Sequence, residues 1–176
     1  MNSERLVVMP AVATRPVRSE DLAAFERMWG RLSEETIYRR FHAPIQRLSL
    51  KLRRYLVDVD HRDHEALVAV ADGEVIAVAR YHRCADDPAS AEVAVLVEDA
   101  WQGRGLGARM LRELAGLASR RGIDVLTGDV QADNLRMLEV ARSLLGIAAL
   151  EPQGDLVHVR GSYQEPFRAG ASAPCA

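Results

Sequence analysis

The sequence predicts an α/β fold in which a mixed, mostly antiparallel sheet is flanked by helices, and three observations predict it. Asp72-Gly73 divides two apolar, β-leaning runs at residues 66–71 and 75–81, the signature of a two-residue hairpin. A further run at residues 91–97, beyond the polar turn Asp86-Asp87-Pro88, extends that pair into a three-stranded meander. Residues 104–121 then give the best helical pattern, with Leu106, Met110, Leu114 and Leu117 on one stripe and Gly122 placed to end it.

The remaining elements follow in chain order. Residues 14–18 read as a short strand, and Ser19 caps a helix carrying Leu22, Phe25, Trp29 and Leu32 at helical spacing. Ser33-Glu34-Glu35 opens a second helix with acids in its first turn, and residues 49–58 form a third with Leu50, Leu52, Tyr55 and Leu56. Pro44 between them keeps this region broken. After the long helix, residues 124–130 read as a strand and 133–145 as a helix. Residues 147–150 and 156–160 close the chain as two strands around Pro152-Gln153-Gly154. One domain is expected over residues 1–163. The stretch 164–176, rich in Ala, Gly, Ser and Pro, is expected to be a disordered tail.

Composition narrows the function. With 176 residues, 48% of them hydrophobic, the chain is long enough to bury a core. A formal charge of -2 argues against nucleic acid as a partner. Lys51 is the only lysine, so phosphate contacts fall to guanidinium or main-chain N–H groups. Cys84 and Cys175 have no CxxC spacing, which indicates neither zinc nor a disulfide framework and fits a reducing cytoplasm. The apolar run before Pro10 is too short for a membrane span or a secretory core. His61 and His64 sit in a charged loop at a spacing read as a solvated turn, and no metal is assigned.

The chemistry concentrates where the strand at 91–97 feeds the long helix. Gln102-Gly103-Arg104-Gly105-Leu106-Gly107 puts alternate glycines at a helix N-terminus. There main-chain N–H groups can approach phosphate oxygens without a Cβ in the way, and the helix end adds a partial charge of about +0.5. The expected ligand is a pyrophosphate. Gly103-x-Gly105-x-x-Ala108 also satisfies a relaxed dinucleotide fingerprint, with Asp129 downstream as its acid, so a nicotinamide enzyme is the competing reading. Against it stand the antiparallel meander and the five residues between Val97 and Gly103. Glu92 is a carboxylate within an otherwise apolar strand, costly unless it serves something.

Gln102-x-x-Gly105-x-Gly107 resembles the acyl-CoA pyrophosphate motif of the GNAT superfamily of N-acyltransferases, and the element order over residues 14–160 is similar to that fold. More narrowly, the segments at 31–36 and 38–41, Ala91-Glu92-Val93-Ala94-Val95, Asp99-Ala100-Trp101-Gln102 and Asp133-Asn134-Leu135-Arg136-Met137 resemble the catalytic domain of bacterial protein lysine acetyltransferases of the Pat type. The resemblance implies a sheet splayed between the strands at 91 and 124. Main-chain groups of Val95, Leu96 and Val97 would hold the pantetheine arm of acetyl-CoA. Gln102, Gly103, Arg104, Gly105, Leu106, Gly107 and Ala108 would hold the pyrophosphate, with Asn134 near the cofactor's other side. It further implies Glu92 as general base, directly or through water, and a main-chain N–H near Val95 as oxyanion donor. A partly desolvated glutamate with a raised pKa would suit that role. Tyr38, Arg39 and Arg40 would wall the acceptor side.

The implied reaction is acetyl transfer from acetyl-CoA to a primary amine, a protein lysine ahead of a polyamine, aminoglycoside or amino acid. A non-catalytic acyl-CoA sensor stays open, and a homodimer is the oligomer the resemblance suggests. Many relatives place a tyrosine acid seven residues beyond the asparagine; Ala141 stands there, which excludes that acid. Arg109, Arg136 and Arg142 could reach the nucleotide's phosphate but are read as solvent-facing helix residues, and Trp29 and Trp101 as core or hinge residues.

Overall fold

A computed structural model describes residues 10–146 and 149–163. The expected tail at 164–176, Cys175 and Ile147 lie outside them. Seven strands, β1 (Ala13–Pro16), β2 (His64–Ala71), β3 (Glu74–Arg83), β4 (Ser90–Val97), β5 (Val125–Gln131), β6 (Ala149–Gln153) and β7 (Leu156–Ser162), form one sheet ordered β1-β2-β3-β4-β5-β7-β6. Among the described residues only β4 and β5 run parallel, and five helices flank the sheet: α1 (Leu22–Trp29), α2 (Glu34–Phe41), α3 (Leu50–Val57), α4 (Leu106–Arg120) and α5 (Leu135–Leu145). None of the described helices is long and apolar enough to cross a membrane.

Local chemistry explains the joints. Asp72 and Gly73 both take positive φ, 49° and 79°, which closes β2 onto β3 in the two-residue turn whose twist suits antiparallel strands. Gly105 caps α4 at φ 75°, and Gly122 leaves it at φ 74°. The start of α1 differs from expectation. Ser19 opens a single 3-10 turn, and it is Asp21 whose carboxylate accepts from the Arg18 N–H at 2.8 Å while pairing with Arg15. Pro152 lies inside β6, not in a turn beyond it; β6 is an edge strand, where a missing N–H costs no ladder bond.

Two cores sandwich the sheet. On one face Met110, Leu114 and Ala118 of α4 pack with Leu138, Leu144 and Leu145 of α5 over Ala77, Ala79 and Leu126. On the other, Phe25 and Met28 of α1 and Leu56 of α3 cover Val68, Val78 and Leu96. Leu50 and Tyr55, read as part of the α3 stripe, are instead 75% and 40% exposed, which leaves α3 anchored by Leu56.

Candidate active site

The sheet comes apart at its centre. Pairing between β4 and β5 covers only Ser90↔Val125, Ala91↔Leu126 and Glu92↔Thr127, while β5 stays paired with β7 along its whole length. Gly128 stands just past the parting, where an added Cβ would meet the Val93 carbonyl oxygen at 3.0 Å. Absence of a side chain there lets two backbones come close and then separate.

The parting exposes particular main-chain groups. Ser90 accepts from the Cys84 N–H and the Glu98 N–H donates to Ile76, so the even-numbered residues of β4 spend their main-chain groups on β3. By alternation, those of Val93, Val95 and Val97 point toward β5 and the gap. This divides the residues read as a pantetheine seat. Val95 and the N–H of Val97 present main chain to the opening, the Val97 carbonyl being taken by Gln102, but Leu96 pairs with β3 and buries its side chain in the core.

A cavity of about 780 Å³ runs through the parting. Its walls include Glu92, Val93, Val95 and Val97 of β4, Gly103, Gly105, Gly107 and Ala108 of the bend and α4, Gly128 of β5, Asn134 and Met137 at the start of α5, and Thr36, Arg39 and Arg40 of α2. Gly103 and Gly105 each have φ 75°, a conformation that favours glycine. A Cβ on Gly107 would lie 3.4 Å from Val97 Cγ2, so that glycine seats α4 close against β4.

The other residues of the expected cradle do different work. Gln102 turns its side chain inward: Nε2 donates to Thr36 Oγ1 at 2.9 Å and to the Val97 carbonyl at 3.0 Å. Leu106 is buried among α4 core residues, leaving only its main chain for a ligand. The guanidinium of Arg104 lies 5.7 Å from the centre of the Trp101 ring. Asn134 caps α5, its Oδ1 accepting from the Met137 N–H at 3.2 Å.

Sequence reasoning missed what fixes the bend. Asp99 accepts from the Ser33 N–H (3.0 Å), Ser33 Oγ (2.6 Å) and Thr36 Oγ1 (2.9 Å) at the start of α2. Burial pushes the Asp99 carboxyl up, yet these hydrogen bonds outweigh it and hold the group below the usual carboxylate range. Beside it the buried Glu98 pairs with Arg31 at 3.0 Å. The one available signal was Ser33-x-x-Thr36 opening a helix; its partner 66 residues away was not readable.

The structure refines several sequence readings. Glu92 is exposed, because it is the last β4 residue paired with β5 and its side chain faces an open cavity; the desolvation expected for it is not supplied by the protein alone. Arg136, read as solvent-facing, is exposed and lies over the bend, with Nη1 3.3 Å from where a Gly103 Cβ would lie. Arg109 reaches across to β1, donating to Thr14 Oγ1 at 3.2 Å. Asp129, the acid of the dinucleotide reading, is engaged by His158 Nδ1 at 2.8 Å. His61 and His64 turn to different partners, Glu65 and His82.

Residues 23–147 match the model of the acetyltransferase (GNAT) family. An acetyltransferase of Pseudomonas aeruginosa is 32% identical over 145 residues, covering 80% of this chain and 77% of that protein. The acetyltransferase Pat of Mycolicibacterium smegmatis is 36% identical over 124 residues, 69% of this chain, which spans 37% of Pat's length. Among solved structures, the GNAT domain of PAT from S. lividans superposes with TM-score 0.78 at 30% identity, covering 90% of this chain and 99% of that domain. A putative acetyltransferase of Salmonella typhimurium, crystallised with its cofactor acetyl-CoA, shares the fold at TM-score 0.66 and 21% identity, over 92% of this chain and 99% of its own.

Proposed function

This chain belongs to the GNAT family of acetyltransferases, and on that premise we propose that it moves an acetyl group from acetyl-CoA to a primary amine, the side chain of a protein lysine, with Glu92 as general base. One observation carries the reading: the carboxylate of Glu92 stands where β4 leaves β5, in the same cavity as the glycine bend at the start of α4. A single opening thus holds a pyrophosphate seat, unpaired main chain for an amide-bearing arm, and a base.

The residues present fit acetyl-CoA. N–H groups of the bend and first turn of α4, around Gly103, Gly105, Gly107 and Ala108, suit a diphosphate, and Arg136 beside them adds a cation. The outward main-chain groups of Val95 and Val97 suit the amides of the pantetheine arm, and an N–H near Val95 suits the developing oxyanion. Glu92 would take the amine proton as nitrogen attacks the thioester carbon. Cofactor and acceptor, once seated, would supply the desolvation that the exposed carboxylate otherwise lacks.

A protein acceptor is favoured by the helices on the Glu92 side. Tyr38 is 47% and Tyr55 40% exposed, next to Arg39 and Arg40 at the cavity wall, an aromatic and cationic surface suited to a polypeptide. The similarity to proteins named Pat supports the same choice.

The test is Glu92→Gln assayed by thiol release over a panel of lysine peptides, acyl-CoA synthetase preparations, polyamines and aminoglycosides. Turnover should fall at least about tenfold with acetyl-CoA affinity nearly unchanged. Equal turnover removes Glu92 from its role, and tight acetyl-CoA binding without product on any amine makes the chain a sensor. In a thermal shift coenzyme A should raise the melting temperature and NAD should not.

A further inference from the structure

A polar row crosses the sheet at the level of the parting. Cross-strand register sets His64 of β2 opposite His82 of β3, His82 opposite Glu92 of β4, and Glu92 opposite Thr127 of β5. Directly paired residues share a face with Cβ atoms about 4.5–5.5 Å apart. The two imidazoles touch: His64 Nε2 and His82 Nε2 are 2.8 Å apart, so one ring donates to the other and a single proton lies between them. Glu92 and Thr127 line the cavity at the parting, whereas His64 and His82 line a second one of about 790 Å³ at the other end of the row, beside Arg62 and Cys84.

The reaction requires such an exit. A lysine amine arrives as an ammonium, its ordinary pKa being about 10.4. The balance is R–NH3⁺ plus acetyl-S-CoA giving R–NH–acetyl plus CoA-SH plus H⁺: the N–C bond forms, the C–S bond breaks, one ammonium proton ends on sulfur and another must leave. With cofactor and acceptor filling the cavity at the parting, the open route from Glu92 to water is blocked by the reactants themselves.

We infer that His82 and His64 relay this proton from Glu92 to solvent in the second cavity. A proton arriving on His82 Nδ1 releases the one on its Nε2 to His64 Nε2, and His64 sheds its own Nδ1 proton to water, so each ring ends the transfer neutral. The groups facing His82 are His64 from β2, Asp60 from the turn before it, Glu92 from β4 and Arg80 from its own strand. Partial desolvation, with His64 and Arg80, holds the His82 imidazole below its ordinary value against the opposing pull of Glu92 and Asp60. An imidazole poised that way discards a proton readily.

The inference rests on Glu92 as base, so the variants are assayed together on the acceptor with the highest turnover in the panel above. His82→Gln and His64→Gln should each lower kcat about tenfold, leave KM for acetyl-CoA unchanged, shift the acid limb of the pH profile, and regain rate as imidazole is added. Glu92→Gln should be slow and unmoved by imidazole. If both histidine variants keep the wild-type rate and pH profile while Glu92→Gln is slow, the relay is wrong and the base stands. If they are slow but neither shifted in pH nor rescued, they are structural and the relay is again wrong. Full activity in Glu92→Gln, or no product from any amine, overturns both readings.

Discussion

The side-chain amide of Gln102 donates to Oγ1 of Thr36 at 2.9 Å, joining the glycine bend to helix α2 across 66 residues of sequence. Thr36 passes the link on, donating to Asp99 at 2.9 Å. The bend is therefore held by helix α2 as well as by its own strand. Thr36→Val keeps the shape and removes both bonds. It should weaken acetyl-CoA binding by about two- to fivefold, the equivalent of about 0.5–1 kcal/mol, as read by calorimetry, with Thr36→Ser near wild type.

Gly128→Ala forces a Cβ to within 3.0 Å of a main-chain oxygen that cannot swing aside. A loss of about 1–3 kcal/mol in stability follows, measured by urea unfolding, together with weaker acetyl-CoA binding as the gap changes width. Gly30→Ala is the control, since its Cβ would meet the Arg27 carbonyl oxygen at an ordinary 3.5 Å.

Arg136→Gln removes a guanidinium that lies over Gly103 and to which, among the described residues, no carboxylate is bonded. If it faces the diphosphate, acetyl-CoA affinity should drop about tenfold at low ionic strength, as expected for a charge-assisted hydrogen bond. The gap between variant and wild type should narrow as salt is added. Affinity equal to wild type at every salt concentration would place the side chain outside the binding surface.

Asp60 accepts N–H groups from His64, Arg62 and Asp63, which hold its carboxyl down to about 2. A depressed folded value contributes stability that is complete above the ordinary carboxylate range and lost as pH falls through the folded value. The melting temperature should therefore decline between about pH 4 and pH 2. Asp60→Asn should start lower at neutral pH and lose less over that interval.

Much of this was legible in one dimension. The hairpin at Asp72-Gly73, the meander and the long helix are local statements, and alternation or helical spacing carries them. The bend was legible too, since glycines ahead of an apolar stripe have few other uses. What escaped depends on neighbours distant in sequence. Gly128 matters only because Val93 passes beside it, and His82 only because strand register sets it between His64 and Glu92. Glu92 was read as enclosed because its sequence neighbours are apolar; whether they enclose it depends on where two strands diverge, which no window of residues records. Arg136 was given to solvent and is exposed, but a helical position by itself does not say over which loop its long side chain lies.

In an ordinary sheet fraying starts at the rims and the middle is the last region to admit water. Here the unzipped stretch is in the middle, at Val95 and Val97, with intact ladders on either side. Any guest with amides of its own can serve there as a surrogate strand, so that occupancy and completion of the backbone network become one event. Amide hydrogens of those two valines should then exchange quickly in the empty enzyme and slowly in the filled one, the reverse of the usual gradient from rim to centre.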